Sequence, residues 1–397
     1  MERRTPAATA KFSESAKDAR AVAVAGVPLE LAGSVLTVDL GALRENYRML
    51  RARLGGAECA GVVKADGYGL GAVPVARALQ AEGCRSFFVA HAAEALDLLP
   101  ALSGDARVFV LNGLPPGAEE PCAAAGVIPV LNSLEQVAAW DGAASRRGER
   151  LPAAVQVDSG MSRMGLPPSE VALLAAEPAR LERIDVVLAM SHLACADEPG
   201  NPANQEQRAA FERLRTLLPA ARTSLANSSG VFLGGAYRYD LARPGAALYG
   251  INPTPGLANP MLPVVRLQSK VLQTREIGDG VGIGYGYASR ARAAMRLATV
   301  SLGYADGWQR RAMGAAFHKG VRLPFAGRVS MDSIILDITA LPPDTLHAGD
   351  LVDLIGPEQT VDDVAALAGT IGYEVLTSFG PRLHRRYPDS PSGLEVP

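Results

Sequence analysis

From Ser34 to Gly245 the chain alternates between two textures. Short apolar or β-branched runs give way to alanine- and leucine-rich stretches with apolar positions at helical spacing. After an entry strand over 34–40 and a helix from "GALRENYRMLRARL", the runs at 59–64, 86–90, 107–112, 127–132, 153–158, 184–192, 223–227 and 239–245 predict strands. Segments such as "AVPVARALQAEG" and "NQEQRAAFERLRTLLP" predict the helices between them. Eight βα-like units over about 210 residues have the size and rhythm of a (β/α)8 barrel of the TIM type. Beyond "NPTPGLANPMLPV" helical periodicity nearly vanishes and short strands dominate, with one helix over 360–372 that begins at a Thr cap. The expected organisation is therefore α/β: an N-terminal extension over 1–33, a barrel over 34–259 and a mostly β domain over 260–397.

Most of the barrel strands end in a polar residue: Lys64, Asn112, Asn132, Asp158, His192, Asn227 and Arg243. In such barrels the C-terminal strand ends surround the active site. Asn112 and Asn132 can equally be helix caps, whereas a lysine, a histidine and an arginine in the same slot do not cap helices. Lys64 closes the apolar run "GVV" and precedes a loop holding Gly67, Gly69 and Gly71. A partly desolvated lysine has a lowered pKa and can form a Schiff base with a carbonyl. Backbone amides freed in glycine-rich loops can hold a phosphate. Together these point to an aldolase-like sugar phosphate enzyme or to pyridoxal phosphate chemistry.

Composition narrows the field further. With 48% hydrophobic and 20% charged residues the chain reads as an ordinary globular protein. A net charge of −2 without a basic block argues against nucleic acid or anionic membrane as partner. No apolar run is long enough for a membrane span, and the interrupted N-terminus reads as a flexible extension rather than a signal peptide. Cys59, Cys84, Cys122 and Cys195 lack metal-like spacing and read as reduced thiols in a reducing, cytoplasmic compartment. No metal site is expected.

Eight blocks decide between the remaining chemistries. "VVKADGYGLGA", "VDSGMSRMG", "SHLA", "LANSSG", "LARPGAALYG", "GIGYGY", "LGYADGW" and "GRVSMD" occur in this order. The chain thereby resembles the bacterial alanine racemases, fold-type III pyridoxal phosphate enzymes, from about residue 34 to 387. The resemblance implies that Lys64 holds the cofactor and serves as the base for one alanine enantiomer. It implies that Tyr68, Asn227 and Ser228 bind the cofactor, the two hydroxyls at its phosphate, with backbone near Gly245 and Ala246 assisting. His192 would lie beside the pyridine ring, Arg163 near the phenolic oxygen and substrate, and Arg243 at the ring nitrogen. The second base would be Tyr285 from a partner copy, whose Met331 and Asp332 would meet the substrate carboxylate. That implies a homodimer with two composite sites, supplying D-alanine for peptidoglycan or serving alanine breakdown.

Two positions depart from the pattern. Gln156 stands where many relatives carry a carbamylated lysine, and Pro381 falls about where many carry a tyrosine at the cofactor phosphate, which suggests a wider site. The alternatives are a racemase of broader specificity, a decarboxylase on the same scaffold, or a non-catalytic pyridoxal phosphate carrier. Arg243 argues against the decarboxylase, and the long β domain bearing Tyr285 argues against the carrier.

Overall fold

The computed structural model describes residues 27–389. Most of the extension expected over 1–33 and the end of the segment over 260–397 lie outside them. Seven parallel strands run in sequence order: Gly61–Val62, Ser86–Val89, Arg107–Val110, Ile128–Leu131, Leu151–Gln156, Ile184–Met190 and Arg222–Ser224. An eighth, Leu241–Ala242, pairs in parallel with Glu58–Cys59 at the start of the first. Bonds from Arg243 N to Ala226 O and from Asp240 N to Thr223 O tie it to the seventh strand and close the barrel. Most strand interiors are apolar because both faces are buried, one by the lumen and one by the helices; Arg222–Ser224 is the polar exception and Asp185 points to solvent.

The helices stop and start where local chemistry dictates. Leu40–Leu54 is capped by Asp39, whose carboxylate accepts from Ala42 N, and ends at left-handed Gly55. Leu134–Arg147 runs from Ser133 to left-handed Gly148 in the same way. After the seventh and eighth strands only short 3-10 turns follow, Ser229–Phe232 and Ala246–Tyr249, so their loops stay close to the barrel mouth.

The C-terminal part is built on an eight-stranded sheet around the long strand Val265–Ile277. It contains one strand that the sequence pattern assigns to the other domain. Ser34–Val38 pairs antiparallel with Val265–Ile277 and parallel with His384–Arg386. The first described strand therefore lies in the β domain, and the chain enters the barrel only with the helix that follows. The helix expected over 360–372 ends sooner, as Val361–Ala368 between its Thr360 cap and left-handed Gly369, and a second helix, Gly372–Thr377, follows where none is expected. Among the described residues no helix is long and apolar enough to cross a membrane.

Candidate active site

Directly after the first barrel strand the backbone enters an unusual turn. Ala65, Asp66, Gly67 and Tyr68 have φ of 53°, 53°, 62° and 58° in succession, followed by Gly69 at 79° and Gly71 at 99°. A left-handed conformation costs about 1–2 kcal/mol for each non-glycine residue, so something must hold this turn. Inside it, Gly67 N bonds Val63 O, Gly69 N bonds Ala65 O, and Gly71 N bonds Asp66 O at 2.7–2.9 Å. The Asp66 carboxylate caps the next helix by accepting from Ala72 N at 2.8 Å. From the β domain, Arg385 donates to Gly69 O and the Tyr387 hydroxyl to Leu70 O. A Cβ on Gly69 would stand 2.6 Å from Leu376 O, so glycine permits this close seating of the two domains.

The turn delivers Lys64 and Tyr68 to a cavity of about 430 Å³ at the barrel mouth. The expected cofactor-site residues converge there: Lys64, Tyr68, Arg163 and His192 on one side of the sequence, Asn227, Ser228, Arg243, Gly245 and Ala246 on the other. Burial, then the Arg163 charge, lowers the Lys64 pKa, with Glu94 opposing. His192 is pushed down to about 3 by burial and by Arg243, Arg163 and Lys64, so its imidazole is neutral.

Arg243 is 4% exposed, and burial lowers its pKa to about 9. Its guanidinium donates to Ser224 Oγ and, at 2.6 Å, to Ser191 O. Among the described residues it has no carboxylate partner. A buried cation that still lines a cavity is suited to a neutral acceptor such as an unprotonated ring nitrogen. Ser228 Oγ accepts from Gly245 N at 3.0 Å and Ala247 N at 3.2 Å. A Cβ on Gly245 would lie 2.2 Å from the Tyr68 hydroxyl oxygen. This crowding of donors around a glycine is a cradle for phosphate oxygens. Lysine, cradle and buried guanidinium in one cavity fit pyridoxal phosphate.

Arg163 reaches the site because Asp158 pins its loop. One oxygen of that carboxylate accepts from Gly160 N, Met161 N and Ser162 N at 2.9–3.1 Å. Gln156 lines the cavity beside it, and so does Asn112, whereas Asn132 is structural and donates to Leu111 O and Val130 O. Pro381 is exposed and does not line the cavity. Tyr373, which the sequence pattern did not single out, does, with its ring 6.1 Å from that of Tyr68. The mouth thus keeps a tyrosine in spite of Pro381.

Tyr285, Met331 and Asp332 are not brought to this cavity within the chain. Tyr285 is 71% and Met331 52% exposed on the β domain. Asp332 is exposed too and pairs with Arg382, which also holds Asp306. Ala305 N bonds Met331 O and Tyr304 N bonds Ser330 O, so the loop bearing Met331 and Asp332 is fastened to the turn at Tyr304.

Comparison with known proteins agrees with this geometry. The alanine racemase N-terminal domain model matches residues 38–253 and the C-terminal domain model residues 264–387. A catabolic alanine racemase of Mesorhizobium japonicum is 61% identical over 378 residues, 95% of this chain and 99% of that protein. An alanine racemase of Brucella canis is 50% identical over 371 residues, 90% and 94% of the two chains. Among solved structures, alanine racemase of Bartonella henselae with covalently bound pyridoxal phosphate superposes with a TM-score of 0.86 at 42% identity, covering 90% of this chain and 99% of that one. Two matched domains spanning both sides of the cavity, and relatives alike over nearly their whole length, leave one conclusion: this chain belongs to the alanine racemase family.

Proposed function

We propose that Lys64 and, from a second copy of the chain, Tyr285 are the two bases of a pyridoxal phosphate-dependent interconversion of L- and D-alanine. Family membership carries the reaction class and the cofactor. The observation that carries the assignment of bases is a mismatch of surfaces. The cavity offers one lysine, while a tyrosine and a methionine lie unusually exposed on the β domain. Racemisation needs a base on each face of the reacting carbon, and one lysine serves one face. A homodimer that sets the partner's exposed Tyr285 and Met331 over the mouth would complete the site. Asp332 would stand beside them.

When bound, pyridoxal phosphate supplies an electron sink that makes the alanine Cα proton acidic. Lys64, with a lowered pKa, holds the cofactor and exchanges that proton on its side. Tyr285 does so on the other. Arg243 can only donate, so the cofactor nitrogen stays unprotonated. His192, neutral, would lie against the cofactor ring. Tyr68, Ser228 and the backbone at Gly245 and Ala246 would hold the phosphate end, Asn227 would join them in binding the cofactor, and Arg163 would face the phenolic oxygen and the substrate. The Met331 amide, with Asp332 beside it, meets the substrate carboxylate. D-alanine made this way would feed peptidoglycan, and L-alanine made in reverse would feed catabolism. Four free cysteines, three of them buried, fit a cytoplasmic setting.

The experiment uses the purified chain with L-alanine in deuterated water. D-alanine carrying deuterium at Cα is expected, and Lys64→Ala should lose the absorbance of the lysine-bound cofactor. Accumulation of pyruvate or of an amine would instead assign another pyridoxal phosphate reaction.

A further inference from the structure

In the left-handed turn after Lys64 the Ala65 amide finds its partner outside the turn. It belongs to the peptide that joins the lysine to the left-handed run beginning at Ala65, φ 53°. The acceptor is Glu94, in the first turn of the helix Ala92–Leu98 that follows the second barrel strand. One carboxylate oxygen accepts from Ala65 N at 2.5 Å. The other accepts from Ala90 N at 2.7 Å and His91 N at 3.0 Å, the end of that strand and the start of its helix. A single carboxylate thus joins the second strand's end to the peptide that aims the lysine.

We propose that Glu94 is a positioning residue for Lys64: by holding the Ala65 amide it fixes the direction in which the lysine side chain enters the cavity. The inference rests on the reading of Lys64 as the cofactor-bearing lysine. Glu94 touches neither cofactor nor substrate; it acts through the backbone. It has a second effect through charge. The groups facing Lys64 are Glu94, the Arg163 guanidinium and the neutral His192 ring. Glu94 is the one anion among them and counters the pull of burial and Arg163.

The two effects separate by substitution. Glu94→Gln keeps the size but removes the charge and one of the two acceptor oxygens. Glu94→Asp keeps the charge and can still cap its own helix, but is one methylene too short to reach Ala65. The readout is the rate at which cofactor-free protein takes up pyridoxal phosphate on Lys64, followed by absorbance across pH. Thermal unfolding is recorded alongside.

Glu94→Gln is expected to slow uptake on the order of tenfold, as loss of orientation does, and to move the pH midpoint of uptake downward. Glu94→Asp is expected to slow uptake with the midpoint in place. Both should unfold within a few degrees of the parent. Parent-like uptake in Glu94→Asp would overturn the proposal. So would slowing in both variants that follows a large fall in melting temperature with no shift of midpoint in Glu94→Gln. If the parent chain itself takes up no cofactor on Lys64, the assignment of Lys64 fails instead, before any variant is compared.

Discussion

His192 sits at the end of the sixth barrel strand with Arg243, Arg163 and Lys64 around it, and burial with these cations pushes its pKa down to about 3. An unfolded histidine titrates near pH 6.5. Between these values the unfolded chain binds a proton that the folded chain refuses, so stability rises with pH there. The contribution is fully present above about 6.5 and is lost as pH falls through about 3. For cofactor-free protein the melting temperature should therefore fall on acidification, and His192→Gln should make that fall shallower between pH 6.5 and 4. Equal slopes in parent and variant would show that another group dominates.

Gly245 belongs to the same scale. The 2.2 Å between its missing Cβ and the Tyr68 oxygen predicts that Gly245→Ala retains pyridoxal phosphate less tightly, read as faster loss on dialysis, because the methyl takes space needed by the phosphate cradle. Retention equal to the parent's would mean that Tyr68 yields at little cost.

At the scale of elements, the end of the barrel opposite the mouth serves stability. Glu58, at the start of the first strand, accepts from Arg107 at 3.0 Å and from Arg222 at 2.6 Å, so it links the first strand to the third and the seventh. Burial works to raise its pKa, yet bonds to Ser86, Arg222 and Arg107 bring it below the usual carboxylate range. Glu58→Ala leaves two guanidinium groups facing each other in a partly buried site. A loss on the order of 2 kcal/mol is expected in denaturant unfolding, with the activity of the folded fraction unchanged. A loss of activity without loss of stability would contradict the division between the two ends.

The barrel strands are legible because runs buried on both faces are mostly apolar between a polar entry and the mouth, as in Ser86–Val89 and Arg107–Val110. Lys64, His192 and Arg243 could be read as site residues for the same reason: a charge that closes an apolar run has few structural uses. Ser34–Val38 was misassigned because its apolar pattern reports burial and not partnership. Its register against Val265–Ile277 is a contact more than two hundred residues away. Glu94 was invisible for another reason. A glutamate in the first turn of a helix is commonplace, and its second task, the bond from Ala65 N, depends on a contact 29 residues away. Tyr373 escaped notice because the break at Gly369 that starts its helix lies inside what reads as one continuous pattern.

On the scale of the whole molecule, the two proposed bases stand far apart on one chain. Lys64 lines the cavity; Tyr285, Met331 and Tyr304 face outward from the β domain. The two domains of one chain are fixed to each other around the lysine turn by Arg385, Tyr387 and the tight seating of Gly69. A second copy, rather than a hinge within one chain, is therefore the natural source of the missing face. In a two-fold dimer the same patch meets the same cavity twice. Composite sites of this kind also allow two inactive chains to restore each other.

Mixing Lys64→Ala with Tyr285→Phe, after dissociating and reassociating the two, tests this directly. Neither variant alone should racemise L-alanine. In a mixed dimer one site has lost both bases and the other retains the native Lys64 of one chain with the native Tyr285 of its partner. Random pairing at equal amounts should then recover about one quarter of the native activity. A mixture that stays inactive while mixed dimers form, or a Tyr285→Phe chain that racemises L-alanine unaided, would contradict the shared site.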